Sequence, residues 1–149
     1  MIADHASLFG WLPLIGVAIF AWWKGDWPER WGGLINLAAA GGAFAIRLTL
    51  KDTPQDVALL VVDAVLAFGF LALALVFASW WLGGAMLFQA AQFALHAYYL
   101  VQERHPDMLN YVFNNINTTG VEVCIVVGVI GSWVHRVRER KREEAAAAT

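Results

Sequence analysis

Between Ser7 and Trp133 the chain reads as five apolar runs separated by short polar breaks, and that layout constrains everything else about it. A helix needs roughly 20 mostly apolar residues, within a range of about 17–25, to cross the hydrocarbon of a bilayer. The runs cover residues 7–23, 31–48, 57–77, 85–101 and 108–133, the first of them short and carrying Pro13. The stretches "KGDWPER", "TLKDTPQD" and "QERHPD" read as loops, and "ASWWLGG" reads as a tight interfacial turn. Composition agrees. Hydrophobic residues make up 60% and charged residues 15%, against about 45–50% and about 25% in soluble domains. The expected fold is an all-α integral membrane protein, a five-transmembrane-helix bundle over residues 1–135. A polar, basic, helical tail, residues 136–149, follows it. The first 23 residues contain no Lys or Arg. A secretory signal needs a positive start, so the first run is expected to be a retained span.

Orientation follows from the basic residues, which accumulate on cytoplasmic loops. Placing the tail "RVRERKR" inside puts Lys24, Arg30, Arg136, Arg138, Arg140, Lys141 and Arg142 on the cytoplasmic side. Arg47, Lys51 and Arg104 fall outside. Seven against three favours an outside N-terminus, a cytoplasmic C-terminus and a multi-pass protein of the cell inner membrane. The aromatic residues give a second test, because Trp and Tyr favour the membrane–water interfaces. Trp22, Trp23, Trp27, Trp31, Trp80, Trp81 and Trp133 land at the inner interface, and Tyr98, Tyr99 and Tyr111 at the outer one. Only Trp11 joins the outer group. The tail itself reads as a topology anchor, with a protein-docking helix as the alternative.

Polar residues inside the spans carry the functional question. A helix turns about 100° per residue. With Gln89 at zero, Gln92 lies at about 300°, His96 at about 340°, Tyr99 at about 280° and Glu103 at about 320°. The rest of the turn carries Phe88, Ala91 and Leu95. The fifth run repeats the pattern. With Asn115 at zero, Thr118, Thr119, Glu122 and Tyr111 fall at about 300°, 40°, 340° and 320°. Asn114 and Asn117 lie off that face and are assigned to the helix start. In the second run Asn36 and Arg47 lie about 20° apart, with Ala40 and Ala43 between them and Gly32 and Gly33 below. In the third, Asp56 and Asp63 share one face two turns apart. Such stripes must face protein or water rather than lipid.

At about 1.5 Å per residue, Asp63, His96 and Asn115 lie at one depth, roughly 10 Å below the outer ends of their spans. Arg47, Asp56 and Glu103 lie above them at an outer mouth. Gln92, Gln89, Asn36 and Glu122 lie deeper. An ionisable group at mid-membrane costs roughly 2.5–3.5 kcal/mol on insertion scales. Three together (Asp63, His96 and Glu122) point to a pathway or binding site for protons, an ion or a small polar solute. The competing reading is a hydrogen-bonded network that only sets helix register, in an accessory or scaffold subunit of a larger complex.

Other chemistries find little support. No GxSxG, HExxH, P-loop or CxxC motif is present, and Ser7, Ser79 and Ser132 sit near span ends without triad partners, so no catalytic residue is assigned. Cys124 is the single cysteine, which excludes an intrachain disulfide and a cysteine metal cage. His96 is the only histidine inside a span. His5, His105 and His135 lie toward the ends, so neither haem nor a metal nor any other cofactor is expected. The net charge of -2 offers no field for nucleic acid. The expected partners are the lipid bilayer and either further copies of the chain or a larger membrane complex, since five short spans enclose little volume.

Overall fold

The computed structural model describes residues 3–104 and 106–147, and the side chains within these from residue 11 onward except 52 and 53. Five helices follow one another: α1 (Ala3–Lys24), α2 (Trp27–Thr49), α3 (Asp52–Phe77), α4 (Trp80–Val101) and α5 (Met108–Ala147). No strand occurs among the described residues. Three helices are long and apolar enough to cross a membrane: α2, α3 from Pro54 to Phe77, and α5. Residues Trp11–Lys24 of α1 form a shorter apolar helix. In α4, Gln89, Gln92 and His96 dilute an otherwise apolar segment.

The connections are shorter than the sequence suggests, and each shortening has a local cause. Most of "KGDWPER" is helix, because Pro28 suits the first turn of α2 and the Glu29 carboxylate accepts the backbone N–H of Asp26 at 2.9 Å. Only Gly25 and Asp26 link α1 to α2. Any side chain at Gly25 would place Cβ 2.4 Å from the Ala21 carbonyl oxygen and 2.7 Å from the Glu29 Cβ. In "ASWWLGG" only Ala78 and Ser79 are non-helical. Ala78 turns the chain in the left-handed region at φ 47° and donates its N–H to Ala74. The polar tail simply continues α5. That helix has 40 residues, about 60 Å of length, and its last turns pass well beyond the bundle.

Two-residue links force α1 to α4 into antiparallel hairpins. Each helix packs on its chain neighbours, α1 returns to α5, and α5 also reaches α2 across the ring. The apolar core lies in the half of the bundle nearer the α1–α2 turn. It contains Ala21, Leu66, Phe70, Leu82, Ala85, Val121, Ile125 and Val129, built around the Trp81 indole. Trp81 is only 3% exposed while its neighbour Trp80 is 78% exposed. The sequence reading placed both at an interface. Instead the Trp81 ring points inward, into space left by two glycines. A Cβ on Gly128 would lie 2.6 Å from it, and one on Gly32 3.0 Å. Trp22, Trp23, Trp27, Trp31 and Trp133 are exposed around this same end.

The outside is as apolar as the inside. Leu48, Phe68, Leu75, Val76 and Leu87 face outward, while Asn36, Asp63, Gln89 and Asn117 are buried. A soluble domain sorts these residues the other way.

Candidate functional site

Asp63 is the centre of the polar interior. It sits in mid-α3, 7% exposed. Three α4 side chains converge on it, from positions 89, 92 and 96, which a helix places on one face. Gln89 Nε2 donates to Oδ1 at 3.1 Å, Gln92 Nε2 reaches the same oxygen at 3.5 Å, and His96 Nδ1 contacts Oδ2. Both carboxylate oxygens are thus engaged. With Asp63 ionised, Nδ1 carries the proton and donates it, whichever charge the ring holds. Acid and imidazole in contact are a pair between which a proton can pass.

The cluster forms one wall of a cavity of about 330 Å³ between the helices. Asn36 and Arg47 of α2, Asp63 of α3, Gln89 and Gln92 of α4, and Asn115 and Glu122 of α5 all line it. Ala39, Ala40 and Ala43 open the space on α2, where larger side chains would fill it. Arg47, Phe44 and Asn115 are the exposed members of the lining. His96 is not a lining residue and touches the cavity only through Asp63. Asn36 is buried and among the described residues makes no hydrogen bond, so its amide is left to the cavity.

Several positions depart from the sequence reading. Asp56 is exposed and lies away from the cavity, because α3 starts at Asp52 and Asp56 stays in its first turns. For the same reason Asp63 lies about 16 Å from the helix start rather than about 10 Å. Glu103 leaves the polar stripe because α4 ends at Val101. It is exposed, at φ 51°, and its N–H and that of Arg104 close the helix onto Leu100 and Tyr99. This is the left-handed closing geometry that usually takes glycine. On α5 the inward face is rotated toward the asparagines assigned to the helix start. Asn114 lines the cavity and Asn117 is buried, whereas Tyr111 and Thr119 are exposed. His105 lies outside the described residues, as does the His5 side chain.

Two further polar groups were not singled out by sequence. Glu29 is only 2% exposed. Ser132 Oγ of α5 lies 2.9 Å from its Oε1, and Arg136 binds the Asp26 carboxylate and the Lys24 carbonyl. This clamp ties α5 to the α1–α2 turn. The spacing of Glu29 three residues after Asp26, with Pro28 between, was the available signal for it. At the opposite end Asp107 caps α5, accepting the Asn110 N–H at 2.9 Å and the Tyr99 hydroxyl at 2.5 Å. The Tyr99 hydrogen bond, followed by the Asn110 N–H, holds its carboxyl below the ordinary aspartate value. Arg104 stands 4.0 Å away.

Among the described residues no three His, Cys, Asp or Glu side chains gather as metal ligands. The arrangement is that of an all-helical protein with membrane-spanning character, enclosing an acid, an imidazole and amides at a cavity wall. Comparison with protein-family models, curated proteins and solved structures finds no match for the chain.

Proposed function

We propose that the chain is a five-span protein of the cell inner membrane whose polar cavity binds or conducts protons, an ion or a small polar solute. The N-terminus lies outside and the C-terminus in the cytoplasm, by the seven-to-three distribution of basic residues. The single observation behind the function is Asp63. A buried carboxylate on α3, held by Gln89, Gln92 and His96 of α4, forms the wall of a cavity that Asn36, Asn115 and Glu122 also line. Intramembrane ionisable groups that face the bundle interior or a water-filled cavity mark substrate, ion or proton pathways. Arg47 stands at the exposed mouth of that cavity. Asp56 and Glu103 are not part of the proposed route.

The competing reading is an accessory or scaffold subunit, with further copies of the chain or a larger complex as its partner. The observation in its favour is that both carboxylate oxygens of Asp63 are already taken up by α4 side chains, as a purely structural network requires. Reconstitution into liposomes containing a pH-sensitive dye separates the two. Asp63→Asn and His96→Gln are each expected to lower proton or ion flux in protein that remains helical. Unchanged flux in both folded variants would sink the pathway, and co-purification of a larger complex would favour the accessory role.

A further inference from the structure

A second feature lies on the outer surface, away from the polar cavity, and depends only on the membrane character of the chain. Between α1 and α2 runs a groove of about 690 Å³, with Ile15, Ile19, Leu34 and Leu37 along it and Trp22, Trp23 and Arg30 at one end. From Ile15 to Trp23 it extends about 12 Å along α1. Half of a hydrocarbon core of about 30 Å is about 15 Å, so the groove has the depth of one leaflet.

Arg30 is what distinguishes this groove from an ordinary gap between helices. Its Nε donates to the Gly25 carbonyl at 3.0 Å, and its guanidinium carbon lies 5.8 Å from the Trp22 ring centroid. The hydrogen bond occupies Nε and leaves the outer edge of the guanidinium open. Among the described residues nothing takes up its two terminal amino groups. Lys24 lies beside the Trp23 and Trp133 rings, its Nζ 4.6 and 5.5 Å from their centroids. The neighbouring acids are already engaged, Asp26 by Arg136 and Glu29 by the Asp26 N–H and Ser132. In formal charge Lys24, Arg30 and Arg136 outnumber Asp26 and Glu29, so a positive excess remains at the Trp-rich end, where tryptophans sit at headgroup level. A planar guanidinium with both terminal amines free suits two oxygens of one phosphate.

We propose that the α1–α2 groove is a binding site for an anionic phospholipid of the leaflet at the Trp-rich end, its phosphate on Arg30 and one acyl chain along Ile19 and Leu34. Basic pockets between membrane helices select such headgroups. Arg30 supplies the selectivity and the apolar walls supply the chain contact.

Native mass spectrometry of the detergent-purified full chain, titrated in parallel with phosphatidylglycerol and phosphatidylcholine, tests this. The unmodified protein is expected to retain one phosphatidylglycerol in preference to phosphatidylcholine. Arg30→Gln should lower that preference roughly fivefold, the loss expected for one basic residue at a membrane surface. Ile19→Trp, which fills the groove and leaves Arg30 in place, should remove the bound lipid of either kind. Circular dichroism establishes that each variant is folded, and Arg30→Lys, which keeps the charge, should retain part of the preference. Equal retention of the two lipids by the unmodified protein overturns the proposal. So does an undiminished preference in folded Arg30→Gln. A change of oligomeric state in Ile19→Trp with lipid retention unaltered also overturns it, and would assign the groove to a second copy of the chain.

Discussion

Replacing Gly128 by Ala tests the packing that closes the bundle opposite the cavity mouth. The added Cβ would lie 2.6 Å from Trp81 Cε2 and 2.7 Å from Cδ2 and Nε1. Unstrained carbon contacts fall at about 3.5–4.0 Å, so the indole must retreat by about 1 Å. Its far edge faces Gly32 of α2, where even a Cβ would lie 3.0 Å from the ring, so the retreat moves the indole toward the α2 backbone. Overpacking of this kind costs about 1–3 kcal/mol. Alanine is a better helix residue than glycine by about 0.8–1.0 kcal/mol, which offsets part of the loss. Gly131→Ala cancels that term. It lies one turn away on α5 and nothing stands within 4 Å of its Cβ position. The two alanine variants should therefore differ by about 1–3 kcal/mol, with Gly131→Ala the more stable. Denaturant titration in detergent micelles, followed by far-ultraviolet circular dichroism, measures that difference. Trp81→Phe replaces the indole with a smaller ring, and in that background the penalty of Gly128→Ala should fall below about 1 kcal/mol. Equal stability of the two alanine variants, or a penalty undiminished in the Trp81→Phe background, would refute the idea that the ring is wedged between two glycines.

Other consequences follow from particular residues. Ala78 and Glu103 occupy left-handed backbone at φ 47° and 51°, a region that costs a side-chain-bearing residue roughly 1 kcal/mol. Ala78→Gly and Glu103→Gly should each raise stability by several tenths of a kcal/mol or more in the same titration, and destabilisation by either would count against the assigned turns. Asp107→Ala should destabilise the start of α5 as a lost helix cap, with faster amide exchange confined to the first turn of α5. Its carboxyl is depressed in the folded chain, so the capping contribution is complete above the ordinary value of 3.8 and fades only as pH falls through the lower folded value. The Asn110 amide resonance should accordingly titrate with a midpoint below 3.8, and a midpoint above it would contradict the bond. Arg136→Ala removes a partly exposed ion pair with Asp26, worth about 0.2–1 kcal/mol. Proteolysis near the α1–α2 turn should increase modestly, and no change would assign the hold on α5 to Ser132 and Glu29 alone.

Helix periodicity and apolar length were enough to place five helices and to put Gln89, Gln92 and His96 on one face, because those depend only on residues close together in the chain. They also grouped Asn36, Asp63, Asn115 and Glu122 as interior candidates, with Arg47 at an outer mouth, since each is costly against lipid. Tertiary structure decided what a single helix cannot. It brought α4 against α3, so that three α4 side chains meet Asp63, and it turned α5 so that Asn114 and Asn117 face inward while Tyr111 and Thr119 do not. The angle of one residue to the next is local, but the direction of the bundle axis is set by neighbours. With an apolar exterior, the apolar face of α5 does not announce which way is in. Glu29 was hidden for the same reason, since its burial depends on Ser132, more than a hundred residues away. Trp81 looks like its exposed neighbour Trp80 in the sequence, and only Gly32 and Gly128, on two other helices, leave room for its ring inside.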